Sequence, residues 1–73
     1  MIPKEDIKVG LKFIARSNRK HKRVQTLVDI HKTYNLAGEL VQTRYVAVHD
    51  FMGQQITQDD LVLTSIQLGE KVE

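Results

Sequence analysis

Residues 24–49 read V-Q-T-L-V-D-I-H-K-T-Y-N-L-A-G-E-L-V-Q-T-R-Y-V-A-V-H, and this stretch decides the fold. Its β-branched residues recur at alternate positions in residues 24–34, and residues 41–49 repeat the behaviour. Period-two alternation is typical of strands, because successive strand side chains point to opposite faces of a sheet. Between the two segments, Asn35 and Gly38 are residue types that accept the positive φ angles of a tight turn. The stretch therefore predicts a long antiparallel β-hairpin.

The side chains of the two strands suggest how they align. Placing Asp29 opposite Arg44 and Val28 opposite Tyr45 forms an ion pair on one face and an apolar pair on the other. A shift by two residues keeps the same faces, so that alternative stays open. In the first alignment, the residues predicted to face the core are Val24, Thr26, Val28, Ile30, Val41, Tyr45 and Ala47.

Shorter strands are predicted on both sides of the hairpin. Residues 10–15 form an earlier strand, and residues 50–53 form a second turn that leads into a short strand at 54–57. Residues 58–60 are predicted to form a single 3₁₀ turn, and residues 61–68 the last strand. Five short strands with one long hairpin favour a mostly β protein, folded as a small closed or partly open barrel.

This order of elements resembles SH3-like barrels over residues 7–68. The chain has no Trp and no aromatic-rich groove, so proline-peptide binding of the signalling SH3 kind is not expected. It also lacks the closely spaced aromatic residues of a methyl-lysine cage. The resemblance therefore implies a nucleic-acid-binding or adaptor member of that fold group. In its compactness, the chain is also similar to small phage-encoded or mobile-element proteins.

Length and composition predict one small domain over residues 1–73, with an ordered core at about 7–68 and a frayed tail at 69–73. With 41% hydrophobic and 27% charged residues, the composition is that of a folded domain. The absence of Cys favours a reducing compartment, and we expect the cytoplasm. No apolar run approaches the roughly 20 residues of a membrane span, so no membrane partner is expected.

Charge is concentrated in residues 16–23, R-S-N-R-K-H-K-R, which carry five permanent cations and one His. Residues 1–23 have eight Lys/Arg against two acids, whereas residues 24–73 have three against seven. A balance of +6 against −4 suits an anionic partner, and nucleic acid is the commonest one. We expect this run to form a solvent-exposed loop that contacts backbone phosphates. The residues predicted to bind are Lys12, Arg16, Asn18, Arg19, Lys20, His21, Lys22, Arg23 and Arg44.

The aromatic residues bear on which nucleic acid is bound. Phe13 and Tyr45 are predicted to be core residues from their alternation, while Tyr34 and Phe51 lie at turns and are able to stack on bases. No run of exposed aromatic residues follows one strand pair. Binding to a duplex is therefore expected rather than binding to single strands. As the partner, DNA is expected rather than RNA.

Three alternatives to nucleic-acid binding stay open. In the first, the basic run is a solvated loop that keeps the protein soluble, and in the second it contacts an acidic protein. In the second case, the protein is an interaction module or a phage-type inhibitor of a host protein, which binds through the loop or a strand edge. In the third, the protein forms a homo-oligomer, because the positive charge of residues 1–23 and the negative charge of residues 24–73 are complementary.

Catalysis, metal binding and cofactors are not predicted. Asp59 and Asp60 are adjacent, so their side chains point apart, and a turn cap explains them better than paired catalytic carboxylates. His31 and His49 fall on opposite faces of the hairpin, and His21 lies among cations that repel a metal ion. We expect His31 to hydrogen-bond at the surface near Asp29, and we expect no enzyme.

Overall fold

The computed structural model describes residues 1–72, and its five strands form one antiparallel sheet in the order β4-β3-β2-β1-β5. The predicted mostly β class is confirmed. Within the described residues no pairing joins β4 to β5, so the sheet is open and a closed barrel is not shown. The strands are β1 (Lys12–Ile14), β2 (Gln25–Tyr34), β3 (Leu40–Phe51), β4 (Gln54–Leu61) and β5 (Glu70–Lys71). The helices are two 3₁₀ helices (Lys4–Asp6 and Arg16–His21) and one short α-helix, α1 (Leu63–Gln67).

Both predicted turns are confirmed, each for a local reason. At the β2–β3 turn, the Asn35 side-chain oxygen accepts hydrogen bonds from the backbone N–H groups of Ala37 and Glu39, each at 3.0 Å. At the β3–β4 turn, Met52 and Gly53 both have positive φ, 50° and 80°. Two consecutive positive φ angles match the right-handed twist of a two-residue hairpin.

Next to the turn, the alignment of β2 with β3 is shifted by two residues from the first predicted one, which is the alternative that the sequence left open: Ile30, not Val28, lies opposite Tyr45. Arg44 lies opposite His31, so the predicted cross-strand pair between Asp29 and Arg44 is not formed. Asp29 instead contacts His31 on its own strand, with 3.1 Å between His31 Nε2 and Asp29 Oδ2. The surface contact expected for His31 is therefore confirmed.

A β-bulge at Val28 explains why the predicted core was partly wrong. Leu27 pairs with β3 and so does Asp29, which leaves Val28 as an extra residue. An extra residue reverses which face the following side chains take. Before the bulge, Gln25 and Leu27 are buried, whereas the prediction placed Val24 and Thr26 in the core. Of the predicted set, Tyr45 and Ala47 are buried, Thr26 and Ile30 half-buried, and Val24, Val28 and Val41 exposed.

The core lies on one face of the sheet, beneath the N-terminal segment and α1. The two covering segments are joined by the backbone N–H of Ile2, which donates to the carbonyl of Gln67 at 2.9 Å. Beyond the core, residues 31–42 of the hairpin are exposed on both faces. The buried hydrophobic residues are Ile2, Ile7, Leu11, Phe13, Ala15, Leu27, Tyr45, Ala47, Leu61 and Ile66.

The C-terminal part of the chain corrects two predictions. Residues 58–60 continue β4 instead of forming a 3₁₀ turn, and most of the predicted last strand at 61–68 is α1. The chain then crosses β1 at Gly69, where a Cβ atom would overlap the carbonyl oxygen of Ile14. Residues Glu70–Lys71 pair with β1, so this part of the predicted frayed tail is a strand. Glu73 lies outside the described residues.

Candidate nucleic-acid interface

The basic run is more ordered than the predicted loop, because residues Arg16–His21 form a 3₁₀ helix. Lys22 ends this helix in the left-handed region, with φ 49° and ψ 39°. The N–H of Lys22 bonds to the carbonyl of Arg19, and the N–H of Arg23 to the carbonyl of Asn18, at 3.3 and 3.4 Å. The backbone of the run is therefore a turn of helix, which fixes the order in which its side chains leave the helix. We call Arg16–His21 the basic helix.

Asn18 points inward and corrects its predicted role as a binding residue. Its side chain is 8% exposed, and Nδ2 donates to the Gln25 side-chain oxygen at 3.0 Å. The Gln25 amide donates in turn to Gln58 at 3.0 Å, and that of Gln58 to Asp60 at 3.0 Å. A buried amide needs such partners, since an unpaired one costs about 1–3 kcal/mol. We therefore assign Asn18 the structural role of anchoring the basic helix.

Arg19 also has a structural contact. Its guanidinium donates through Nη2 to the backbone carbonyl of Leu68, the residue that ends α1. The last carbonyls of a helix have no partner within it, and a cation there is favourable. Arg19 thus joins the basic helix to α1, and it is less available for a phosphate than its neighbours.

A groove of about 830 Å³ lies between the end of the basic helix and the sheet. Lys12 of β1 lies opposite Thr26 of β2, and Thr26 lies opposite Val48 of β3, so the groove crosses three strands. Lys12 therefore lines the same groove as Lys22 and Arg23. We call this surface the basic groove; it is lined by Lys12, His21, Lys22, Arg23, Val24, Thr26, Val48, His49, Asp50, Phe51 and Gln55.

The charge of the basic groove is positive. Its permanent cations are Lys12, Lys22 and Arg23, and Asp50 is the single acid among the residues that line it. Because the three cations line the same groove, their electrostatic potentials add there. The arrangement is chemically suited to hold an anion.

Seven residues that line the groove were not predicted from the sequence to belong to the site, and two of them, Phe51 and His49, have side chains of particular chemical interest. Phe51 is 52% exposed at the β3–β4 turn, as the stacking prediction requires, but its position beside the cations was not predicted. His49 is buried, and its Nδ1 atom has no hydrogen-bond partner among residues 1–72. Neither residue has a local sequence signal, because both reach the groove only through the folding of β3 against β2 and β1.

The remaining predicted residues lie outside the basic groove. Arg16 and Lys20 are exposed on the basic helix. Arg44 instead borders a separate depression together with His31 and Asp59, so it does not extend the patch as predicted.

Residues 1–72 contain no cluster of three potential metal ligands and no helix that is long and apolar enough to cross a membrane. The chain matches no protein-family model, no curated protein and no solved structure.

Proposed function

We propose that this protein binds nucleic acid by contacting backbone phosphates with the basic groove and the exposed face of the basic helix. One observation carries the proposal: β1 delivers Lys12 to the same concave surface as Lys22 and Arg23. A cation from β1 and two from the end of the basic run therefore line one groove, an arrangement that a charge run serving only solubility does not need. The long central hairpin and the five antiparallel strands also support the SH3-like resemblance, which we retain as a proposal.

The strength of such binding depends on how many phosphates are neutralised. Five cations are exposed on the groove and helix: Lys12, Arg16, Lys20, Lys22 and Arg23. Each contact with duplex DNA contributes about −0.9 to the slope of log affinity against log salt concentration. A slope of about −4 is expected when four or five of them are engaged. Duplex DNA, predicted from the sequence, is the first substrate to test.

The test is fluorescence anisotropy with labelled duplex DNA, single-stranded DNA and RNA over a salt series. The variant Lys22→Glu, Arg23→Glu removes two groove cations, and the matched control Lys32→Glu, Arg44→Glu makes the same charge change elsewhere on the hairpin. Arg44 is four residues from Val48, about 13 Å along β3. We expect the groove variant to weaken binding to every substrate far more than the control does.

Two results would overturn the proposal. One is the absence of binding to any of the three nucleic acids at low salt. The other is an equal loss of affinity in the groove and control variants, because binding would then follow net charge alone.

A second candidate function is supported by the open edge of the sheet. β4 is an edge strand of eight residues, and its residues 54–57 are exposed. The unpaired backbone of an edge strand is a template for strand addition by another protein. On this proposal, the protein is an interaction module or a phage-type inhibitor of a host protein. Its complex would survive both high salt and the Lys22→Glu, Arg23→Glu change.

A further inference from the structure

Phe51 brings an exposed aromatic ring to the basic groove, and among residues 1–72 it is the only Phe or Tyr that lines it. Phe13 and Tyr45 are in the core, with exposures of 0% and 7%. Tyr34 is 56% exposed but lies at the opposite end of the hairpin. Cations and an aromatic face are the two elements by which proteins hold unpaired nucleotides.

The shape and the other walls of the groove fit a nucleotide. Its volume of about 830 Å³ leaves room for a nucleotide, and the groove is open to solvent, so that a longer strand is able to continue beyond it. Val48 gives it an apolar surface, while Thr26 and Gln55 carry hydroxyl and amide groups that are able to hydrogen-bond to base edges.

We propose that the basic groove holds an unpaired nucleotide, with its phosphate against Lys22 and Arg23 and its base stacked on Phe51. An intact duplex keeps its bases stacked inside the helix, so it presents no base face to this ring. The inference rests on the proposed function, and it replaces the duplex preference expected from the sequence. That preference rested on the absence of a run of exposed aromatic residues along one strand pair, whereas a single ring beside the cations is sufficient to stack one base.

The experiment compares three labelled 12-nucleotide ligands: oligothymidine, an abasic strand with the same phosphates, and a blunt DNA duplex. Phe51→Ala removes the ring, Phe51→Tyr retains it, and Tyr34→Ala is the matched control for losing an exposed aromatic side chain. Lys22→Glu, Arg23→Glu reports on phosphate contact. Circular dichroism melting of each variant verifies that it is folded.

We expect Phe51→Ala to weaken oligothymidine binding about 5- to 150-fold, the range of base stacking on an aromatic side chain, without changing the salt slope. The same variant should bind the abasic strand as well as the unmodified protein does. Phe51→Tyr should retain oligothymidine affinity, and Tyr34→Ala should leave it unchanged.

Two sets of outcomes separate this inference from the proposed function. If Phe51→Ala matches Tyr34→Ala, or if the blunt duplex binds as tightly as oligothymidine, the unpaired nucleotide is excluded while phosphate binding stands. If Lys22→Glu, Arg23→Glu also leaves binding to all three ligands intact, the proposed function fails with it.

Discussion

Arg19 and Lys20 are adjacent cations of the basic helix, and the structure predicts opposite consequences for their replacement by Ala. Arg19 donates to the carbonyl of Leu68, a contact between residues 49 positions apart in the sequence. Hydrogen bonds to charged groups contribute about 1.5–3 kcal/mol in proteins, and exposure to solvent reduces this one to about 1 kcal/mol. In a chain of this size, that loss lowers Tm by about 4–8 °C.

Lys20 is exposed, and within residues 1–72 its side chain makes no hydrogen bond or ion pair. Its replacement should change the free energy of unfolding by no more than about 0.5 kcal/mol. If it contacts a phosphate, however, the salt slope of duplex binding should become shallower by about 0.9. Arg19→Ala should leave that slope nearly unchanged.

The two variants are compared by circular dichroism melting without ligand and by anisotropy over a salt series. The reasoning is refuted if Arg19→Ala melts at the temperature of the unmodified protein while its salt slope becomes shallower. That result would make Arg19 a phosphate contact and its bond to Leu68 unimportant for stability.

Three further changes test the packing that positions the groove. Gly69→Ala should destabilise by at least about 1–3 kcal/mol in urea unfolding, because its Cβ would overlap the Ile14 carbonyl; a neutral effect would contradict this close approach. Gln25→Leu should cost about 2–4 kcal/mol by the same assay, because two amides lose their partner, and a cost below about 0.5 kcal/mol would exclude the buried amide chain. His49→Leu removes an unpaired buried nitrogen, so Tm should be unchanged or higher, and a marked fall in Tm would reveal a partner for Nδ1.

The central hairpin was predictable because its determinants are local. Asn35 organises its own turn through two hydrogen bonds, and the alternation on both sides is that of strands. The bulge at Val28 was not predictable in the same way, because the residue types at positions 28–30 are equally compatible with a regular strand and with a bulged one. Only the packing of Leu27 and Ile30 on the same core selects it.

The C-terminal segment shows a second limit of local patterns. Leu61, Leu63 and Ile66 suit a strand in part, yet Leu63 and Ile66 are also three apart, the spacing of one helical face. The helix is selected because it buries Ile66 against the core and brings Gly69 across β1. Neither reason is visible in residues 61–68 alone.

The candidate site was also predictable only where its features are local in the sequence. The cations of residues 16–23 stand out in the sequence, but which of them face inward does not. Asn18 and Arg19 are held by residues distant in the sequence, whereas Lys12 reaches the groove by strand pairing. Phe51 reaches the groove because β3 pairs with β2, and no motif in the sequence predicts that position.

The amides that anchor Asn18 also have a direction. An ionised carboxylate only accepts hydrogen bonds, so Asp60 requires the nitrogen of the Gln58 amide to face it. The Gln58 oxygen then faces Gln25, whose nitrogen must donate to it, and the Gln25 oxygen is left for Asn18. The exposed carboxylate at the end of this chain of amides thereby sets the rotation of three successive amides, and it turns the Nδ2 atom of Asn18 toward Gln25. With Asn in place of Asp60, the two possible directions of donation along this series of hydrogen bonds would become nearly equal in energy. The Asn18 amide, which anchors the basic helix, would then no longer have a single orientation.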